Sequence, residues 1–178
     1  MGRRAFVRDR ILEAAFDVVA TEGFEAATTR AIAAKAGVGP ASMFKHFPTR
    51  EDLGRELYRV ALAPLQADLA ALAAAAPTPT VALRRFIALA CTWYDTRPRA
   101  LALLIFPPHE FQPWELHQTN PDAVRSVLAR LLATDADTTA VIWGACTGPL
   151  IDRFLRHRAG TMTPHADTLA ARIVRLLT

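Results

Sequence analysis

The chain has 178 residues, 52% of them apolar, with 21 basic and 17 acidic side chains and a formal charge of +4, enough to bury a real core in one or two domains. No uninterrupted apolar run reaches the ~18–20 residues of a membrane span, and the charged start MGRRAFVRDR lacks the apolar centre of a signal peptide. Phe6 stands where myristoylation needs Ser or Thr, so neither insertion, export nor lipidation is expected.

A first helix is expected through Ile11, Leu12, Ala15, Phe16 and Val19, which recur at the 3.6-residue period and stop at Glu22-Gly23-Phe24. The stretch 28–50, TTRAIAAKAGVGPASMFKHFPTR, then reads as a short helix, a glycine-centred turn, a second short helix and a basic exit. Thr28 is a candidate N-cap, and Ile32, Ala33 and Ala36 form a candidate inward face. Gly37 suits a left-handed helix end and Pro40 the first turn of the next helix. In that helix Met43 and Phe47, four apart, share one buried face. Ala41, Phe44 and Lys45 are left on another face without a core partner. An exposed aromatic beside a lysine on a two-turn helix is what a groove-inserted helix presents, and helix-turn-helix geometry places the second helix in the DNA major groove. Thr49 and Asp52 have capping-box spacing at the head of a long helix, Arg50 to about Ala75, with Leu53, Leu57, Tyr58, Ala61, Leu65 and Leu69 inward and Pro64 interrupting it.

Everything legible beyond this point is helical. PTPT (77–80) is a turn and cap, followed by a helix over Val81–Arg97 with Leu83, Phe86, Ile87, Ala90, Cys91 and Tyr94 inward. Pro98 opens a short helix, and PPHEFQPW (107–114) is a Pro-rich loop. Asn120-Pro121 caps a helix to about Ala133, and Asp135 or Asp137 caps another to about Arg158. The latter carries Val141, Trp143, Cys146, Leu150, Ile151, Phe154 and Leu155 most of the way round, so both of its sides must be covered, and Gly148-Pro149 is expected to kink it. A last helix spans Ala166–Leu177 with Leu169, Ile173, Val174 and Leu177 on one face. The two cysteines, Cys91 and Cys146, suit a reducing compartment and read as small buried hydrophobes. Residues 1–50 hold eight basic and five acidic residues, whereas 51–178 hold thirteen and twelve, so the positive excess accompanies the helix-turn-helix motif.

The ordered set RILEAAFDVVATEGF, TTRAIAAKAGV, FKHF and PTREDL resembles the N-terminal domain of the TetR family of bacterial repressors over roughly residues 8–60. The resemblance implies an all-α fold, with a three-helix helix-turn-helix DNA-binding domain at 1–50 and a helical effector-binding and dimerisation domain at 51–178. It implies a cytoplasmic homodimeric repressor of double-stranded operator DNA, dimerised through its two C-terminal helices and released by a small-molecule effector. Under it Thr28, Thr29 and Arg30 open the first helix of the motif, Pro40, Ala41, Ser42, Phe44, Lys45 and His46 lie on the recognition helix, and Arg50 begins the long one. Arg30 and Lys45 suit guanine edges or phosphate, Ser42, Thr29 and His46 suit phosphate, and the Ala41 methyl suits a thymine methyl. Phe44 replaces the family's usual Tyr and loses a hydroxyl contact to the DNA backbone, while Arg50 replaces the usual Lys and keeps its charge. Arg3, Arg4, Arg8 and Arg10 form a basic arm that can add DNA contacts or fray. Candidate effector-lining residues are Phe86, Trp93, Tyr94, Phe106, Phe111, Trp114, Trp143 and Phe154, with Gln66, His109 and His117 as polar handles. That mix points to an apolar or aromatic ligand.

Two other classes compete. His109, Glu110 and His117, with Asp122 nearby, are candidate metal ligands of a small metalloenzyme, but they lack the H-E-x-x-H or paired-Cys spacing of known zinc sites, and no cofactor is expected. A helical protein-interaction module would account for the helices but not for the basic bias of the first fifty residues.

Overall fold

In a computed structural model, residues 3–22, 27–76, 78–106 and 124–177 are described. They form nine α-helices and one short 3-10 turn, with no strand among them. The chain divides into two compact units. One runs through Ala61 and takes in the segment from Ala102, and the other takes Leu62–Leu101 and the helices after residue 123.

The first unit contains the motif. Helix α1 (Arg3–Glu22) buries Ile11, Leu12, Ala14, Ala15 and Val18. The stripe expected through Phe16 and Val19 is rotated slightly, because 11, 15 and 18 lie closest to one line on a helix, and Phe16 and Val19 are half-buried. The short helix α2 (Thr29–Ala36) buries Ile32, Ala33 and Ala36. Its N-cap is Thr28, whose Oγ1 accepts from the Ala31 N–H at 3.1 Å. It ends in a Schellman turn in which Gly37 takes φ +62° and the Gly37 and Val38 N–H groups donate to the Ala34 and Ala33 carbonyls. Pro40 is the first residue of α3 (Pro40–His46), where a missing N–H costs nothing. Helix α4 (Arg50–Ala75) starts from a reciprocal cap: the Asp52 N–H donates to Thr49 Oγ1 at 3.0 Å, and the Thr49 N–H donates to Asp52 Oδ2 at 3.2 Å. Its apolar row Leu53, Leu57, Tyr58, Ala61, Leu65 and Leu69 is buried as the spacing requires, with Leu62 and Leu72 in addition. Pro64 sits inside the helix and leaves the Val60 carbonyl without its i+4 donor.

In the second unit, α5 (Pro79–Thr96) is capped by Thr78 and buries Leu83, Phe86, Ile87, Cys91 and Trp93. Pro98 opens α6 (Pro98–Ile105), which carries the chain back to the first unit. Helix α7 (Val124–Leu132) and helix α8 (Ala136–Leu155) follow, the latter capped by Asp135 through the Thr138 N–H at 2.8 Å. A 3-10 turn (Thr163–His165) leads into α9 (Ala166–Leu177), which buries Ala166, Ala170 and Ile173 and packs chiefly on α5. Asp95, at the end of α5, closes that entry by accepting from the Met162 and Thr163 N–H groups at 2.6 and 2.8 Å and from the Thr163 hydroxyl at 2.6 Å. Helix α8 stops at Leu155, short of the expected Arg158. The His157 and Arg158 N–H groups donate to the Phe154 and Arg153 carbonyls, and His157 takes φ +48°, a Schellman end built without glycine. Among the described residues no helix is long and apolar enough to cross a membrane.

Candidate nucleic-acid interface

Helix α3 divides its side chains sharply. Met43 and the adjoining Phe47 are 1% and 3% exposed, whereas Phe44 is 52% exposed. Pro40, Ala41 and Lys45 are exposed with it, and Ser42 and His46 are half-buried between the two faces. Met43 and Phe47 anchor the helix from one side, so the opposite face cannot turn inward without removing them. At 52% exposed, Phe44 forgoes part of the about 1.5–3 kcal/mol that full burial brings.

The remaining sequence-predicted positions lie at two helix starts. Thr28 and Arg30 are exposed and Thr29 half-buried at the start of α2, and Arg50 is half-buried at the start of α4. None of them belongs to the core. Short donors and guanidinium or ammonium groups at helix N-termini suit phosphate oxygens, because the free N–H groups and the helix dipole favour an anion there.

The expected basic arm is different. Arg8 Nη2 lies 2.6 Å from Glu56 Oε1, and its guanidinium sits over the Phe47 ring at 5.3 Å. Arg10 donates to the Ala36 carbonyl and sits over Phe6. Both cations therefore hold α1 against the motif instead of extending from it as a frayed terminus. The side chains of Arg3 and Arg4 lie outside the described residues. Glu56 is held down to a pKa of about 2 first by its Arg59 hydrogen bonds, at 2.6 and 2.8 Å, with partial burial opposing and Arg8 assisting. Nothing in the helical periodicity announced these roles, because each partner lies on another helix.

Residues 11–57 match the model of the bacterial regulatory proteins, tetR family. The match covers 47 of the 178 residues, the stretch that holds α2 and α3. Solved structures share its architecture at low identity. FadR from Bacillus subtilis, in complex with stearoyl-CoA, is 14% identical with a TM-score of 0.78, covering 93% of this chain and 97% of its own. A TetR-like transcriptional regulator from Rhodococcus sp. RHA1 is 20% identical with a TM-score of 0.75, covering 99% and 98%. NalD, the secondary repressor of the MexAB-OprM multidrug efflux pump in Pseudomonas aeruginosa, is 17% identical with a TM-score of 0.74, covering 96% and 95%. No curated protein sequence matches the chain.

The aromatic residues of the second unit fall into three settings. Phe86 and Trp143 meet with ring centroids 6.2 Å apart, with Arg125 over the indole, and Tyr94 and Phe154 meet at 4.8 Å, with Arg153 over the phenol. Trp93 is core: it is 2% exposed, its indole N–H donates to Asp68 Oδ2 at 2.8 Å, and Arg97 covers its face. Gln66 is half-buried. Phe106, 41% exposed, belongs to the first unit. Phe111, Trp114 and the candidate metal ligands His109, Glu110 and His117 lie outside the described residues. Cys91 and Cys146 are free and buried, and burial pushes their thiols up to about 11 and about 12, so both stay protonated and unreactive near neutral pH.

Proposed function

We propose that the protein is a repressor that binds a palindromic operator as a homodimer and leaves it when a small apolar or aromatic effector binds the C-terminal helices. The exposed Ala41–Phe44–Lys45 face of α3, set against buried Met43 and Phe47, carries this reading. Lys45 and Arg30 reach base edges or phosphate, Thr28, Thr29, Ser42 and His46 donate to phosphate, Ala41 meets a thymine methyl, and Pro40 and Arg50 set helix starts toward the backbone. Two such helices spaced about 34–36 Å apart, or somewhat more, match successive turns of one duplex face.

The pairing surface is the outer face of α8 and α9. Along α8, Val141 and Leu155 are 65% and 67% exposed although both are apolar. Gly144 and Gly148 lie between them at helical spacing, with open space where a side chain would stand. The effector lies among Phe86, Trp143, Tyr94 and Phe154, whose rings line facing stretches of α5 and α8. Titrating the protein with duplexes from its own promoter region tests the reading. Saturable, sequence-dependent binding that Lys45→Ala and Arg30→Ala each weaken by roughly 1–3 kcal/mol is expected, and binding indifferent to both substitutions would overturn it.

A further inference from the structure

The second unit contains a cleft of about 310 Å³ where the C-terminal end of α8 faces the 3-10 turn and the start of α9. Its floor is apolar, made by Pro149, Met162 and Leu169, and its rim is cationic, made by Arg153, Arg158 and Arg172. No aromatic ring of the proposed effector site lines it.

The three guanidinium groups are not equivalent. Arg153 has a structural task, since its Nη2 donates to the Ala159 and Gly160 carbonyls at 2.8 and 2.9 Å and fixes the turn after α8. Arg158 is 54% exposed and stands 3.6 Å from Asp152, a carboxylate that Arg156 already holds at 2.5 Å. Arg172 has no ion-pair or hydrogen-bond partner among the described residues. His165 belongs to the same lining. The acids within reach are Asp152, shared between two arginines, and Asp95, occupied by the Met162 and Thr163 N–H groups. Positive charge is thus gathered at the mouth of an apolar groove beyond what the local carboxylates neutralise.

We infer that this cleft binds an organic anion, with Arg158 and Arg172 taking its carboxylate or phosphate across the mouth and Pro149, Met162 and Leu169 receiving an apolar tail. Guanidinium forks pair with both anionic groups through two parallel hydrogen bonds. The apolar floor supplies the part of the affinity that inorganic ions cannot obtain. The site lies on α8 and α9, so an occupant bears on the helices that carry the proposed pairing surface, and Arg153, which also covers the Tyr94 ring, joins it to the aromatic site.

Isothermal titration of the full chain with dodecanoate, dodecyl phosphate, inorganic phosphate and dodecanol separates the contributions. One or both long-chain anions should bind at least about tenfold more tightly than inorganic phosphate and than the neutral alcohol. The carboxylate and phosphate arms then report which head group is preferred. Arg158→Ala with Arg172→Ala should weaken that binding by about tenfold or more, and Arg172→Lys should restore part of it. Arg84→Ala, on exposed α5 surface, should leave it unchanged, with circular dichroism verifying that each variant is folded. Equal binding by the wild type and the double variant, or dodecanol binding as tightly as the anions, would overturn the assignment.

Discussion

Glu56 ties three positions together at the scale of single residues. It accepts from Arg59 on its own helix and pairs with Arg8 on α1, and that Arg8 also covers Phe47 beside α3. Its pKa falls from the ordinary glutamate value of 4.5 to about 2. A carboxyl held down in the folded state adds stability that is complete above pH 4.5 and is lost as pH falls toward 2. Arg59 is 66% exposed, so screening trims the gain, and Glu56→Gln should cost about 1–2 kcal/mol at pH 7. Chemical denaturation from pH 7 down to pH 2 should show the variant and wild type converging at the acid end. Phe44 supplies a second residue-scale expectation. Its exposed ring lacks a donor, and Phe44→Tyr adds a hydroxyl on the face proposed to meet DNA. The substitution should tighten binding roughly two- to fivefold on every duplex alike, since phosphate carries no sequence information. Tightening confined to one base sequence would show that the ring instead faces a base.

At the scale of elements, what the sequence disclosed depended on whether the signal was local. Caps made by a side chain within its own turn were legible: Thr28 on α2 and Thr49 with Asp52 on α4, with the cap of α5 narrowed to PTPT, where it is Thr78, and that of α8 to Asp135 or Asp137, where it is Asp135. So was Gly37, because glycine marks a left-handed helix end. The end of α8 was not legible, since His157 takes φ +48° without a glycine to announce it, and Ala133 closes α7 the same way at φ +53°. The roles of Asp95, Arg8 and Arg10 were hidden for another reason: their partners are remote in sequence. On α3, burial of Met43 and Phe47 with exposure of Phe44 followed from spacing alone. The sorting of the aromatics into core and paired rings did not, because Trp93 carries the same pattern whether it lines a pocket or packs on Asp68. His157→Gly and Ala133→Gly relieve left-handed strain and should each raise stability by about 0.5–1 kcal/mol in thermal melts. Gly144→Ala tests the outer face of α8. Nothing within 4 Å would meet the new methyl in the single chain, and alanine gains about 1 kcal/mol of helix propensity over glycine. A folded chain that gains stability while its dimer dissociates more readily in sedimentation is the expected outcome. Stability gained with dimerisation unchanged would place the interface elsewhere.

For the whole molecule, the charge distribution makes a quantitative demand on DNA binding. The first fifty residues hold eight basic side chains against five acidic ones, while the rest of the chain is nearly balanced. Arg8 and Lys35 pair with Glu56 and Asp17, at 2.6 and 3.5 Å, while Arg30, Lys45 and Arg50 stand at the positions that the proposed reading sets against phosphate. If each subunit of a dimer sets these three on phosphates, about six counterions are displaced, and log K should fall against log salt with a slope near −5. Lys45→Ala removes one cation per subunit, so the slope should become shallower by about two if two subunits occupy one duplex and by about one if a single subunit binds. Measuring the slope for both proteins on one operator duplex therefore counts subunits on DNA by charge alone, without assuming the C-terminal pairing surface. A slope near zero in the wild type would mean that the cations of the first fifty residues do not meet phosphate, and the repressor reading would fall with it.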